Sequence, residues 1–257
     1  MNSDKLPPNR FTRERFETSF AVASYESDFN GRLSLFSLFN RFQELAGLHA
    51  RYLNVGYDML HHANLAWFLS RIRVQLNSLP QWGDIVTLAT WPKGKDRLFA
   101  LRDFSLTNER GEVLVLATTA WLVFDTVKNR PQRIDTLLAD LRFEGAPHAI
   151  QGVPEKIQPP TGLAAAGQRV VVLSDLDANG HVNNAHYAKW VCDCFPREQF
   201  RRRQITSMQI NYLEEVLEGD TIDLLTSSVD ETVAEYCIIG KNTKTGATLF
   251  QALTAWR

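Results

Sequence analysis

An α+β fold, in which one helix followed by antiparallel strands is made twice, is what this 257-residue sequence predicts. Three observations carry the prediction. Landmarks recur at a nearly fixed spacing, each preceded by a polar turn that runs into a helical pattern. Apolar residues fall on one face of a 3.6-residue period in that pattern, and strands of alternating polarity surround each copy of a Gly-Asp pair.

The chain opens on "MNSDKLPPNR", polar and without periodicity, which reads as a flexible lead over 1–10. From Phe11 the first unit is expected to run to residue 135. Its helix is marked by Leu35, Leu38, Phe39, Phe42, Leu45 and Ala46 at steps of three and four. Strands follow, with Val74 and Leu76 set against Gln75 and Asn77, then "QWGDIVTL" at 81–88 and "TTAWLVF" at 118–124. Between 136 and 167 the alternation stops and prolines 147, 154, 159 and 160 gather, which predicts a linker. The second unit, 168–257, repeats the order. Ala185, Ala188, Cys192 and Phe195 form the apolar side of its helix, beside Tyr187 and Val191, with Pro196 at the end. Ile210 and Tyr212 alternate with Gln209 and Asn211 ahead of "LEGDTIDL" at 217–224, and "LTAWR" closes the chain.

The repeat can be measured. Gly83 and Gly219 stand 136 positions apart, as do Asp84 and Asp220, while Trp121 and Trp256 stand 135 apart. Upstream, "SDFNGRLS" at 27–34 answers "LDANGHVN" at 176–183 at an offset of 149. A sheet wrapped around a helix, twice, fits this order better than a parallel βαβ scheme.

Composition narrows the function classes. A hydrophobic fraction of 44% can build a core, and 28 Lys plus Arg against 29 Asp plus Glu give a net charge of −1. Nothing global suggests nucleic acid or a membrane surface as partner. Cys192, Cys194 and Cys237 form no disulfide framework, and no apolar run reaches the ~20 residues of a membrane helix. A soluble, cytoplasmic protein is expected.

The chemistry concentrates in "SDLDANGHVNNAHYAKW". Asp and Asn dominate turns and helix caps, so a structural reading has to be weighed first. The two halves supply a control. Asp28 and Asn30 match Asp177 and Asn179, but Arg32 stands where the second half has His181, and Leu79 stands where it has Glu215. A purely structural turn would look alike in both halves. The titratable pair occurs in one of them.

With D-x-N-x-H-V-N-N-x-x-Y-x-x-W opening a helix, a later "NYLEE" and two related halves, the chain resembles the acyl-acyl-carrier-protein thioesterases of plants and bacteria from Phe11 to Arg257. The resemblance implies a double hotdog: two antiparallel sheets, each wrapping a central helix, fused edge to edge. It also implies hydrolysis of fatty acyl-acyl-carrier-protein thioesters, which releases free fatty acid and ends fatty acid synthesis. Its catalytic positions fall on Asp177, Asn179, His181 and Glu215, with Val216 where many plant members carry cysteine.

Hydrolysis without a covalent intermediate needs a base for water, a donor for the oxyanion and groups that hold them in place. Glu215 or Asp177 can take the proton, Asn179 can orient water or donate, and His181 can position the carboxylate or protonate the thiol. The helix start near Asn183 adds backbone N–H donors. The first half is left to bind the acyl tail, with Phe36, Phe39, Phe42, Trp67 and Phe68 as candidate lining, although each also suits the core. No cofactor or metal is implied: His61, His62 and His186 lack ligands at metal spacing, and no G-x-S-x-G elbow is present. "PKGKDR" at 92–97 and Arg201, Arg202 and Arg203 read as solvated basic loops, or as docking points for acidic acyl carrier protein. Monomer and homodimer both remain open. A dehydratase would more simply pair His with one acid, and a non-catalytic lipid-binding module would have no use for His181 and Glu215.

Overall fold

The computed structural model describes residues 9–135, 147–230 and 234–257. The chain divides into two compact units, one of residues up to Ile72 with Leu76–Pro154, the other of Arg73–Gln75 with Glu155–Arg257. Most of the expected lead, residues 1–8, lies outside the described residues, and Arg10 is already paired in a strand.

In the first unit the elements are β1 (Arg10–Phe11), β2 (Phe16–Ala21), α1 (Leu35–Tyr52), α2 (Tyr57–His62), β3 (Leu65–Leu76), β4 (Ile85–Asp96), β5 (Phe99–Asn108), β6 (Val113–Asp125) and β7 (Arg130–Gln132). The sheet order is β1-β2-β4-β5-β6-β3, with β7 on β6. Ser34 starts α1 by accepting a hydrogen bond from the Ser37 N–H at 3.1 Å. All six apolar residues expected on its inner face are buried, and Phe42 packs on Phe104 of β5 at 4.8 Å. Each of the Leu and Phe side chains among them contributes roughly 1.5–3 kcal/mol by leaving water.

The second unit holds β8 (Ala164–Val170), α3 (Asn184–Asp193), α4 (Arg197–Arg202), β9 (Ile205–Tyr212), β10 (Thr221–Asp230), β11 (Glu235–Asn242) and β12 (Thr248–Trp256). Its sheet order is β9-β12-β11-β10-β8. Helix α3 is short, so its buried stripe departs from the sequence reading. Ala185, His186, Tyr187, Ala188, Trp190 and Val191 are buried, while Cys192 and Phe195 are only half-buried. Phe250 of β12 lies under Tyr187 with rings 5.2 Å apart. That ring rests on Gly240, where any Cβ would overlap it, so the glycine makes room for the floor of the helix. Each unit is a hotdog, a sheet around a central helix.

The proline-rich interval is not a bare linker. Residues 136–146 lie outside the described residues, but 147–154 cover the face of the first sheet turned away from α1, and β8 begins at Ala164, inside the interval. Trp91 Nε1 donates to the Pro147 carbonyl at 2.9 Å. Lys93, expected on the surface, is buried: Nζ donates to the carbonyls of Ile150 and Gly152 and lies 3.5 Å from Asp103, whose other carboxylate oxygen takes the Ala149 N–H at 2.7 Å. Thr118 also donates to Asp103, at 2.6 Å. A buried ammonium must find such partners, and the covering segment supplies them from its backbone. In the second unit Asn211, on the polar side of the alternation in β9, is buried and donates to the Glu155 carbonyl at 3.1 Å. Ile157 packs there on Cys237 and Ile239.

Candidate active site

The two polar turns share one backbone. Asp177 Oδ1 accepts the N–H of Asn179 at 2.8 Å and that of His181 at 3.4 Å, and Asp28 Oδ1 accepts those of Asn30 at 2.8 Å and Arg32 at 3.1 Å. Gly180 and Gly31 turn the chain at φ 77° and 73°, a region that costs glycine nothing. The next peptide is anchored the same way in each half: Val182 N–H to the Val216 carbonyl at 3.0 Å, Leu33 N–H to the Pro80 carbonyl at 2.8 Å. Downstream, the N–H groups of Leu213 and Glu214 share the Leu249 carbonyl as those of Asn77 and Ser78 share the Leu114 carbonyl. Leu79 is therefore the counterpart of Glu215 in space as well as in spacing.

On this common frame the second half places His181 Nε2 3.3 Å from Glu215 Oε2. The side chains are 36% and 56% exposed, open to water and substrate. Asn179, two residues before His181, is exposed, and its side chain has no hydrogen-bond partner among the described residues. Asp177 is half-buried, and its turn hydrogen bonds are those of Asp28, in the half that has Arg32 and Leu79 at the places of His181 and Glu215. At the helix start Asn183 caps α3, its Oδ1 taking the Ala185 N–H at 2.9 Å and its carbonyl the His186 N–H at 2.9 Å. Two of the N–H groups expected to face an oxyanion are thus already engaged.

Beneath the turn His186 Nδ1 lies 3.3 Å from Asp175 Oδ1, where the first half pairs Glu26 with Arg41 at 2.7 Å. Burial lowers the His186 pKa, and the neighbouring Asp175 carboxylate partly restores it. Tyr187 forms the floor. Burial, followed by the charges of Glu215, Asp177 and Asp220, pushes its phenol pKa upward, so it stays neutral. Burial also pushes the Cys194 and Cys237 thiols up to about 11, which removes both as thiolate nucleophiles at neutral pH. Among the described residues no group of three or more His, Cys, Asp or Glu could hold a metal ion.

The candidate lining residues separate. Phe39 and Phe42 are buried core, 6.1 Å apart, and Trp67 is tied down by its Nε1 to the Val55 carbonyl at 2.8 Å. Phe36 and Phe68 are half-buried, as is Trp67.

Comparison with known proteins agrees with this frame. The family model for the acyl-ACP thioesterase N-terminal domain matches residues 13–140, and that for the C-terminal domain matches residues 166–257. Oleoyl-acyl carrier protein thioesterase 2 of Arabidopsis thaliana is 27% identical over 249 residues, covering 88% of this chain and 67% of that protein. Dodecanoyl-[acyl-carrier-protein] hydrolase of Cinnamomum camphora is 27% identical over 263 residues, 94% of this chain and 67% of that protein. The chain thus spans about two thirds of these plant relatives. Among solved structures, an acyl-ACP thioesterase from Bacteroides thetaiotaomicron superposes with a TM-score of 0.84 at 24% identity, covering 95% of this chain and 98% of that one. The 12:0-ACP thioesterase from Umbellularia californica gives 0.81 at 24% identity, with 95% and 97% covered. Matched by both domain models in order along most of its length, the chain belongs to the acyl-ACP thioesterase family.

Proposed function

We propose that this chain hydrolyses fatty acyl-acyl-carrier-protein thioesters, with Glu215 and His181 as the working pair. The observation that carries the reading is their contact at 3.3 Å, half-exposed, in one of two turns whose backbones are otherwise alike. The Glu215 carboxylate takes a proton as water attacks the thioester carbonyl. His181 orients that carboxylate, receives the proton from it and passes it to the departing thiolate, so that the products are a fatty acid and the free phosphopantetheine thiol and both side chains return to their starting state. Asn179, with its amide unengaged, donates to the oxyanion or orients the water. Asp177 builds the turn rather than acting as base, a role supported by its twin in Asp28. The first unit receives the acyl tail, and of its candidate lining residues the half-buried Phe36 and Phe68 have more free surface to offer than the core pair Phe39 and Phe42. No helix among the described residues is long and apolar enough to cross a membrane, and three free cysteines support a cytoplasmic setting.

The test is release of free thiol from a ladder of acyl chains, each carried on acyl carrier protein and on CoA. Turnover on the carrier-bound series that is lost in Glu215→Gln supports the reading. No release from any carrier would leave a lipid-binding module in its place.

A further inference from the structure

Glu215 is three residues past the end of β9, and something must fix it against the turn that carries His181. One tie is the Val182 N–H to the Val216 carbonyl, and the first half repeats it between Leu33 and Pro80. A second tie occurs in the second unit alone. Tyr212, the last residue of β9, donates its hydroxyl to the carbonyl of Asn184, the first residue of α3, at 3.2 Å. Its ring is buried and stands edge-on to Tyr187, with centroids 5.0 Å apart. By the two repeat offsets the counterparts of Tyr212 and Asn184 are Leu76 and Leu35, both buried and neither with a hydroxyl.

We infer that Tyr212 is a positioning residue: its hydroxyl locks the strand end that carries Glu215 to the helix whose leading turn carries His181. The inference rests on the reading of Glu215 and His181 given above. Packing alone does not account for the hydroxyl, because Leu76 fills the matching place with hydrocarbon. A buried tyrosine does need an acceptor for its O–H, but helix carbonyls are already used by the helix itself, so the choice of Asn184 adds a link between the two carriers of the reacting pair. With the link, the segment that carries Glu215 and the segment that carries His181 are joined by two hydrogen bonds, one next to the reacting pair at Val182 and Val216 and one at the strand end and helix start.

Tyr212→Phe keeps the ring and removes one oxygen. The expected result is a kcat about tenfold lower with KM within twofold, since substrate contacts persist while the reacting pair loses register. The melting temperature should stay within a few degrees, so the loss is not one of fold. Placed in the Glu215→Gln background, the same change should cost less than twofold further, because a group that acts through Glu215 has nothing left to position. Unchanged kcat in Tyr212→Phe, or a tenfold loss that multiplies in full on Glu215→Gln, overturns the inference and leaves the site reading standing. Full activity in Glu215→Gln by itself removes the site reading, and the role of Tyr212 with it.

Discussion

Glu215 and His181 are each half-exposed, so their replacement should cost chemistry far more than folding. Glu215→Gln and His181→Ala are expected to lower kcat by about 10² or more. Arg32→Ala and Leu79→Gln, on the matching frame of the first half, should stay within a few-fold. The double change at 181 and 215 should cost scarcely more than either single one, because the two act as a unit. Single-turnover thiol release on folded variants measures all of these. If Arg32→Ala proved as damaging as His181→Ala, the one-site reading would fail. At this scale Asp177, Asn179, His181 and Glu215 can be named because the resemblance carries its catalytic positions onto them, and the repeat then sets His181 and Glu215 apart from Arg32 and Leu79. Tyr212 was visible as part of "NYLEE" but not as a contributor, since nothing in the spelling says where a hydroxyl points. Lys93 was misjudged because a basic cluster is usually solvated. Its acid partner, Asp103, comes from the next strand through a register that composition does not encode.

That error reaches the level of elements, for Lys93 and Asp103 hold the covering segment 147–154 to its sheet. Both are buried, and burial raises the Asp103 pKa against the opposing pull of Thr118, Ala149 and Lys93. Lys93→Met leaves that carboxylate with no cation, and the expected loss is about 3–5 kcal/mol, read from urea denaturation at neutral pH. Adding Asp103→Leu should recover part of it, because the remaining buried charge is then gone. A loss below about 1 kcal/mol would show that the segment is held by something else. The interval looked like a linker because its alternation stops and four prolines gather. It packs through its carbonyls, with Ile150 and Ile157 as isolated anchors, and backbone groups carry no sequence signature. The long helix α1 was legible for the opposite reason: six apolar side chains at helical spacing can only be buried together.

For the molecule as a whole, acid should be felt through His49 at the end of α1. Its Nδ1 receives a hydrogen bond from the Arg102 guanidinium at 3.0 Å, and burial, helped by that positive charge, lowers its pKa from 6.5 to about 4. The unfolded chain takes up a proton near pH 6.5 that the folded chain refuses until about pH 4. Stability is therefore fully present above 6.5 and drains away as pH falls through that window, by about 3 kcal/mol at most. His49→Gln should flatten the stability curve between pH 7 and 5, and an identical slope in both proteins would rule His49 out as the source. Docking is the other global property. With Lys93 buried, the exposed basic candidates are Lys95, Arg97 and Arg201–Arg203, and Lys95 already pairs with Asp135. If these residues steer an acidic carrier, hydrolysis at low carrier concentration should slow as the Debye length shrinks below ~8 Å, while acyl-CoA hydrolysis changes less. Equal salt sensitivity would end that role. The repeat itself was fully legible, because paired turns and Gly-Asp landmarks survive where side chains diverge. Its paired turns share a backbone, and on the proposed reading one of the two serves catalysis. Under the proposed division of labour, the unburdened copy can change its side chains to follow longer or shorter acyl tails while the reacting atoms stay as they are, so chain-length preference and turnover become separately heritable traits of one polypeptide.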